Sequence, residues 1–359
     1  MKRILITIQR IVNKMLLLAV LAGAMASCDS VLDYNEGDCS IEYCVKFKYD
    51  YNMDKVDAFA QEVKTVTLYA FDDNGNLVYQ KTDQGEMLAD GNYNMKLDIE
   101  PGEYHLIAWA GLDDQSFAVP LLYPQTSKMN ELKVKTLREE AIPTRSVDEK
   151  DKYIVEKELS SLWHGEVQKS TFTRSGRERI TEVSLVKNTN NIRVVVAQVN
   201  QNPDKPITKV LKKENLKYTI YDENGYMNYD NSLLSDNLLT YKPFATEQDY
   251  VTSRAFTENV DTEYPAAIAE LSVGRLMEDK APELNIINTE TGENLISNMN
   301  IIKYLNMLKQ EHYKDMELQE YLDREDRYSM VFFVDEKMTL INYVIQINGW
   351  VIQVNDFEL

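Results

Sequence analysis

Two segments of the chain align residue by residue, 150 positions apart. They read VTLYAFDDNGNLVY (66–79) and LKYTIYDENGYMNY (216–229), and both place Asn-Gly between strand-like runs. A type I′ turn needs positive φ at both central residues, and Asn-Gly accepts this conformation readily. Each segment therefore predicts a β-hairpin closed by a type I′ turn.

The repeat extends upstream of the hairpins. A strand-like run opens at Ile41, 34 positions before Gly75. The run IRVVVAQV opens at Ile192, 33 positions before Gly225. A hairpin that is preceded by a matched strand indicates a repeated β domain rather than a chance similarity.

Apolar patterns predict the other main elements. IRVVVAQV is apolar on both faces, as a central strand would be, and the last 30 residues contain the apolar runs MVFFV, MTLINYVIQI and GWVIQV. Helical spacing predicts helices over about 53–63 and 298–323. The apolar positions of these two helices are Met53, Val56, Phe59 and Val63, then Ile301, Ile302, Leu305 and Leu308.

The N-terminal residues have the features of an export signal. A basic start precedes residues 15–26, which carry no charge and are too few to cross a bilayer as a helix. Small residues then lead to Cys28, whose thiolate is a strong nucleophile. We predict cleavage between Ser27 and Cys28 and lipid attachment at Cys28. The alternative is ordinary cleavage after Ala26, at the A-x-A sequence Ala24-Met25-Ala26.

Length and charge limit what the exported chain can be. Removal of residues 1–27, which hold four basic residues and no acidic one, leaves 332 of the 359 residues and lowers the net charge from −19 to −23. This length suits about two domains, and we predict β-sandwiches at 41–188 and 189–359, with the boundary near NTNN (188–191). The negative charge disfavours nucleic acid and anionic headgroups, so acyl chains must provide any anchoring. Residues 28–40 are acidic and predict a solvated tether.

Two further cysteines lie near the predicted first strand, residues 41–49. Alternation in this strand puts Ile41, Tyr43, Val45, Phe47 and Tyr49 on one face and Cys44 on the other. A bond between Cys39 and Cys44 would need a bend near Ser40, because a five-residue separation is too long within an extended strand. We expect the two thiols to be unbonded.

No catalytic or metal-binding motif is present in the sequence. It lacks G-x-S-x-G, H-E-x-x-H and C-x-x-C, and His105, His164 and His312 lie in unrelated contexts. The acidic run Asp72–Gly75 is too tight for an EF-hand loop. We therefore predict a protein that is not an enzyme and that has no catalytic residue, no metal site and no cofactor apart from the covalent lipid on Cys28.

A series of motifs in order carries a family resemblance. After Cys28 come GDCSIEYCVKFKYDYN, PGEYHLIAWAGL and LWHGEV, and later LKYTIYDENGYMNYDN, TYKPF, YLDREDRYSMVFFV and IQINGWVI. This order resembles the FimB-type fimbrial anchor subunits of the Bacteroidota, lipoproteins at the base of type V pili. The motifs span nearly the whole chain after Cys28.

The resemblance implies two transthyretin-like β-sandwiches in tandem. It also implies a palmitoylated lipoprotein of the outer membrane that is exposed at the surface and acts in cell adhesion. Its partners would be fimbrial structural subunits, joined by β-strand addition, and residues 330–354 are suited to such pairing. Arg145 and Arg174 need not be protease processing sites, because an anchor keeps its lipidated N-terminus.

Two other functions remain open at this point. The 22 tyrosines suit glycan contacts, so a surface glycan-binding lipoprotein is the main alternative. An exported hydrolase that uses acidic residues is the second, and no motif supports it.

Overall fold

Alternating apolar residues place most of the chain in β-strands. The computed structural model describes residues 42–113, 115–141, 149–174, 179–200, 210–253, 262–347 and 350–354. From Tyr43 onward the chain forms one compact unit. The predicted mainly β fold is confirmed.

Strands and helices are numbered here in chain order within the described residues. The strands are β1 (Tyr43–Lys48), β2 (Thr65–Phe71), β3 (Leu77–Gln84), β4 (Met95–Leu97), β5 (Gly102–Ala110), β6 (Phe117–Ala118), β7 (Lys133–Thr136), β8 (Glu139–Glu140), β9 (Tyr153–Val155), β10 (Trp163–Phe172), β11 (Arg179–Ser184), β12 (Val186–Lys187), β13 (Thr189–Gln198), β14 (Leu216–Asp222), β15 (Tyr226–Asn228), β16 (Leu239–Tyr241), β17 (Ala245–Ser253), β18 (Thr262–Gly274), β19 (Glu283–Asn288), β20 (Asn294–Asn300), β21 (Arg327–Val334), β22 (Leu340–Ile347) and β23 (Trp350–Val354). The helices are α1 (Phe59–Glu62), α2 (Ile301–His312) and α3 (Leu318–Arg324).

The first half of the body contains two of the sheets. One has the strand order β11-β1-β4, and the other has the order β12-β10-β5-β2-β3. Tyr43, Val45 and Phe47 of β1 are buried, as the alternation predicts, and Cys44 is buried as well. Cys39 lies outside the described residues, so the prediction of two unbonded thiols stays a prediction.

The second half contains a six-stranded sheet with the order β17-β18-β13-β21-β22-β23. Strand β13 lies in its interior, which confirms the central position predicted for IRVVVAQV. Ile192 and Val194 face the main core, whereas Val195 and Ala197 belong to a separate apolar cluster on the other face. A second sheet, with the order β20-β19-β14-β16-β9-β8, packs beside it through the main core.

The sequence repeat is accompanied by a repeat of strand pairing. Strand β1 is parallel to β11 and antiparallel to β4, and β13 is parallel to β21 and antiparallel to β18. Likewise β2 lies between β3 and β5, and β14 lies between β16 and β19. The two halves therefore follow one plan of pairing.

The halves also share sheets. Strands β8 and β9 come from the first half and extend the sheet of β14, because β9 pairs with β16. Strand β7 pairs with β15, which again joins the two halves. Residues 153–155 thus pair with a strand beyond the boundary predicted at 188–191, and that boundary stays a prediction.

The first Asn-Gly segment forms a hairpin, but its turn type was wrongly predicted. Strands β2 and β3 pair as expected. Only Gly75 has positive φ, +70°, and Asn74 does not. The N–H of Gly75 donates to the carbonyl of Asp72 at 2.8 Å. The turn is therefore a type I turn followed by a glycine, which needs one left-handed residue instead of two.

The second Asn-Gly segment does not form the predicted hairpin. Strands β14 and β15 flank Asn224 and Gly225 but pair with other strands. Gly225 does not have positive φ. Its carbonyl accepts from the N–H of Thr136 at 2.9 Å, and a Cβ at this position would lie 2.6 Å from Leu239 Cδ1. Glycine serves close packing here, so the turn signal was misleading.

Both predicted helices are shorter than expected. Only α1 is helical within 53–63, because the Asn52 side chain bonds the carbonyls of Tyr49 and Val56 and Lys55 has φ +54°. The segment 298–323 is divided into α2 and α3 by Tyr313–Glu317. The side chain of Asn300 caps α2 by accepting from the N–H of Lys303 at 2.9 Å.

Candidate docking edge

The predicted lipid-attachment residue, Cys28, lies outside the described residues together with the whole signal and tether. Arg145 also lies outside them. Arg174 is exposed, and its guanidinium is 3.9 Å from the Glu100 carboxylate. The interpretation of Cys28 therefore rests on the sequence alone.

The two described histidines each bond a neighbouring group of the protein. His105 Nε2 lies 2.6 Å from Glu166 Oε1. His164 is buried, its Nε2–H donates to the Tyr229 carbonyl at 2.7 Å, and burial lowers its pKa to about 4. The side chain of His312 is not among those described. Within the described residues, no group of three His, Cys, Asp or Glu side chains could hold a metal ion.

The acidic turn at Asp72 is a folding element. Its carboxylate accepts from the N–H groups of Asn74 and Asn76 at 2.9 and 2.8 Å. Burial opposes ionisation, but these bonds and the Asn76 side chain hold the pKa of Asp72 below its ordinary value. N–H groups of the turn itself therefore satisfy this carboxylate, which supports the interpretation of the segment as a hairpin turn.

A groove lies between residues 49–62, which include α1, and residues 324–327. It encloses about 360 Å³. Its charged groups bond within the protein, since Asp57 accepts from Tyr49 and Phe59, and Arg324 stacks on Tyr51 with 3.9 Å to the ring centroid. The groove is therefore part of the contact between the halves.

Sheet edges are the places where another chain could add a strand. An unpaired edge offers a row of N–H and C=O groups, and proteins commonly protect such edges with charges or bulges. Among the described strands, the edges of five or more residues are β3, β11, β17, β20 and β23. Strand β3 carries Lys81 and Asp83, and β11 carries the exposed residue Glu182. Charges thus protect the edges of the first half.

The β17 edge of the six-stranded sheet is protected in two ways. It carries the exposed residues Glu247 and Asp249. In addition, Lys213 crosses it, since its N–H donates to Gln248 Oε1 at 2.8 Å and its Nζ donates to the Thr246 carbonyl at 3.0 Å. Part of the outward hydrogen-bonding capacity of β17 is therefore already used.

The β20 edge is uncharged but irregular. Its pairing with β19 shifts register on both sides of Ile286, and Asn298 has φ +49°. Bulges of this kind interrupt the regular ladder that an added strand would need. This edge is consequently a poor template.

Neither a charged residue nor a register shift protects the β23 edge. Its sequence, WVIQV, carries no charge, and it pairs with β22 over five residues without a register shift. It has no strand on its other side among the described residues. Sequence analysis selected residues 330–354 for strand pairing, and β23 is the part of that segment that lies at an edge.

Little tryptophan surface is exposed among the described side chains. Trp109 and Trp163 are buried, and the side chain of Trp350 is not described. Tyr123 and Tyr250 are the tyrosines that stand out as exposed, at 61% and 64%. A row of stacked sugar rings would therefore depend on scattered tyrosines.

Sequence analysis missed a buried charge at the junction of the halves. Lys187 lies over the Trp163 ring, 5.4 Å from its centroid, and its ammonium group bonds Glu62 and Asp326. Its only signal in the sequence is one lysine that follows the apolar residues of SLVK (184–187). This cluster fixes the path of the chain between the halves.

The described residues define a mainly β protein built from several packed sheets. The family model described as fimbrillin-A associated anchor proteins Mfa1 and Mfa2 matches residues 35–356. The chain belongs to this family, which confirms the predicted family of fimbrial anchor proteins. Comparison with curated proteins gives no significant match.

Solved structures of proteins from Bacteroides and Porphyromonas are similar to this chain over most of their length. Two proteins of Bacteroides thetaiotaomicron, described as a candidate polysaccharide-binding protein and a candidate adhesin, are 32% and 33% identical, each with a TM-score of 0.71. The alignments cover 88% and 87% of this chain and 99% and 97% of theirs. The fimbrial anchor protein Mfa2 of Porphyromonas gingivalis shares the fold, with 15% identity, a TM-score of 0.59, and coverage of 87% and 98%.

In the described part of the chain, no helix is both long enough and apolar enough to cross a bilayer.

Proposed function

We propose that this protein is an outer-membrane lipoprotein that anchors or nucleates a fimbria. Its family supports association with fimbriae at the cell surface. The export signal that precedes Cys28 supports attachment through acyl chains, and the net charge of −23 that remains after its removal disfavours electrostatic binding to anionic lipids. The acidic residues 28–40 would keep the folded body away from the bilayer.

The fimbrial subunit binds by β-strand addition at β23. The observation that carries this proposal is the difference between β23 and the other long edges, which are charged, crossed by a side chain or bulged. Main-chain hydrogen bonds would supply the affinity, and alternate side chains of the added strand would supply specificity. The interaction requires no catalysis and no cofactor apart from the covalent lipid.

Photo-cross-linking in cells tests the docking edge. A photoreactive amino acid replaces Gln353 in β23, and a matched variant carries it at Gln248 in β17, the opposite edge of the same sheet. We expect a cross-link to a fimbrial subunit from position 353 and none from position 248. Equal cross-linking at both positions, or cross-linking at 248 alone, contradicts docking at β23.

Fractionation of cell envelopes tests the lipid anchor. Cys28→Ala is expected to release the protein from the membrane, and Cys39→Ala, the matched control, is expected to leave it there. Membrane retention of both variants would rule out anchoring through Cys28.

A glycan-binding lipoprotein is the alternative function. One observation favours it, since a relative with 32% identity is described as a candidate polysaccharide-binding protein. Affinity electrophoresis in gels that contain surface or dietary polysaccharides distinguishes the two. Retardation of the wild type that is lost in Tyr250→Ala would support glycan binding, and unchanged mobility in every gel would leave the anchor function alone.

A further inference from the structure

Each half begins with a strand that is paired in parallel with a later strand of the same half. Strand β1 pairs with β11 over six residues, from Tyr43 beside Arg179 to Lys48 beside Ser184. Strand β13 pairs with β21 over eight residues, from Asn191 beside Arg327 to Gln198 beside Val334. This parallel pairing is a property of the backbone and does not depend on which side chains the strands carry.

Parallel pairing fixes the direction of tension relative to each ladder. The chain enters β1 at the Tyr43 end and leaves β11 at the Ser184 end, so a pull between the tether and the second half acts along the strands. Such a pull strains all six residue pairs together. A pull across a hairpin, in contrast, would break its hydrogen bonds one after another. The same reasoning applies to β13 and β21, which the chain enters and leaves at opposite ends.

The junction between these two ladders is short and firmly bonded. Only residues 185–188 separate β11 from β13. Within the junction, the N–H of Leu185 donates to the Lys48 carbonyl at 2.8 Å, and that of Asn188 donates to the Leu162 carbonyl at 2.7 Å. The ammonium group of Lys187 adds the buried contacts described above. Tension on the β1–β11 pair is therefore transmitted to the β13–β21 pair without a long flexible segment between them.

We infer that the β1–β11 and β13–β21 pairs are two mechanical clamps in series. They are placed to resist tension between the N-terminal tether and the six-stranded sheet that contains β23. The biological use of these clamps rests on the proposed anchor function, because an anchor joins a lipid to a fibre that is pulled. The clamps themselves are a property of the fold. Loss of fimbrial binding would therefore not remove them, and their failure would not exclude an anchor.

Single-molecule unfolding at constant force tests the inference without any partner. The chain without residues 1–27 is held by the Cys28 thiol and by Lys337→Cys, in the exposed turn after β21, with Cys39 replaced by serine. A second geometry uses Asp54→Cys in place of Cys28, so that tension enters beyond β1 and bypasses the first clamp. We expect longer lifetimes before the first unfolding event in the Cys28 geometry.

A matched pair of core substitutions separates clamp strength from general stability. Val45→Ala lies in β1, and Val66→Ala lies in β2, and both valines are fully buried. In the Cys28 geometry, Val45→Ala is expected to shorten the lifetime roughly tenfold, as the loss of two buried methyl groups implies, and Val66→Ala to change it little. In the Asp54 geometry, Val45→Ala should have no larger effect than Val66→Ala. Equal lifetimes in the two geometries, or equal effects of both variants in each, would overturn the inference.

Discussion

The ammonium nitrogen of Lys187 lies 3.1 Å from a carboxylate oxygen of Glu62, and the same group bonds Asp326. The Lys187 side chain is only 7% exposed, and Trp163 covers it. One buried cation thus joins α1, the junction strand β12 and the second residue after α3. A buried charge without its partners is costly, and here each partner comes from a different part of the chain.

Replacement of Lys187 by methionine should therefore loosen the junction. We expect Lys187→Met to lower the free energy of unfolding by about 2–3 kcal/mol, less than for a fully buried pair, because both carboxylates keep some exposure to water. Urea unfolding measures the change. The control is Lys217→Met, which removes a surface pair with Asp151 and should cost at most about 1 kcal/mol. Equal losses in the two variants would contradict a special role for Lys187.

The two Asn-Gly glycines should respond differently to alanine. Gly75 has φ +70° but open space, since a Cβ added there would lie 3.9 Å from its nearest neighbour, so Gly75→Ala should cost about 1–2 kcal/mol of backbone strain. Gly225 has ordinary φ, but a Cβ there would lie 2.7 Å from Arg138 Nη2. We expect Gly225→Ala to cost about 3 kcal/mol through overpacking, measured by thermal or urea unfolding.

An asparagine scan at the same two positions refines this comparison. Asparagine tolerates positive φ better than alanine does, so Gly75→Asn should recover part of the stability that Gly75→Ala loses. Asparagine is larger than alanine, so Gly225→Asn should lower the free energy of unfolding more than Gly225→Ala does. Recovery at both positions would show that backbone conformation, not packing, sets the need for glycine at Gly225.

These glycines also show which parts of the fold the sequence could predict. Local patterns were sufficient for β1, whose buried face alternates along the sequence, and for β13, which is apolar on both faces. The pairing of β15 with β7 joins residues about 90 positions apart and leaves no local signal. The Asn-Gly signal was therefore correct about the hairpin at Gly75 but not about its turn type, and it was wrong at Gly225, where packing against Leu239 and Arg138 requires glycine.

At the candidate docking edge, too, part of the arrangement could be predicted from the sequence and part could not. Apolar composition identified residues 330–354 as suited to strand pairing, but only the sheet order shows that β23 is the edge and that β21 lies inside. The protection of β17 by Lys213 depends on a contact between residues 33 positions apart, which no pattern predicts. Sequence could therefore select the segment, whereas the fold selects the strand.

Burial of His164 should make the protein sensitive to acid. Its pKa falls to about 4 in the folded protein, against an ordinary value of 6.5, because burial disfavours the charged ring. Between these values the unfolded chain binds the proton more readily, so stability is lost as pH falls from about 6.5 to 4. The loss attributable to this group is about 3 kcal/mol. His164→Gln should flatten the dependence of unfolding free energy on pH in this window, even if it lowers stability overall.

A histidine that remains partly exposed provides the control for this experiment. His105 pairs with Glu166 and keeps contact with water, with 18% of its side chain exposed. His105→Gln should leave most of the acid sensitivity between pH 4 and 6.5 in place. If His105→Gln flattened the curve as strongly as His164→Gln, burial of His164 would not be its main cause.

Asp222 should make the free energy of unfolding depend on pH in the direction opposite to that of His164. The side chain is buried, one oxygen accepts from the N–H of Glu223 at 2.8 Å, and Oδ2 has no hydrogen-bond partner in the described part of the chain. Burial raises the pKa of this carboxyl from 3.8 to about 7. The folded protein then binds the proton more readily, so the contribution of this group to stability is present at low pH and is lost as pH rises from about 4 to 7.

Asp222→Asn keeps the shape of the side chain and removes its titration. Relative to the wild type, the variant should gain stability progressively from pH 4 to 7, by up to about 4 kcal/mol, because the wild type must ionise a buried carboxyl over this range. Asp72→Asn is the control, since hydrogen bonds hold the pKa of Asp72 low and its loss should instead cost stability above pH 4. Urea unfolding at several pH values measures both. A difference between Asp222→Asn and the wild type that does not change with pH would mean that Asp222 is ionised throughout, and that its unpaired oxygen is satisfied by water.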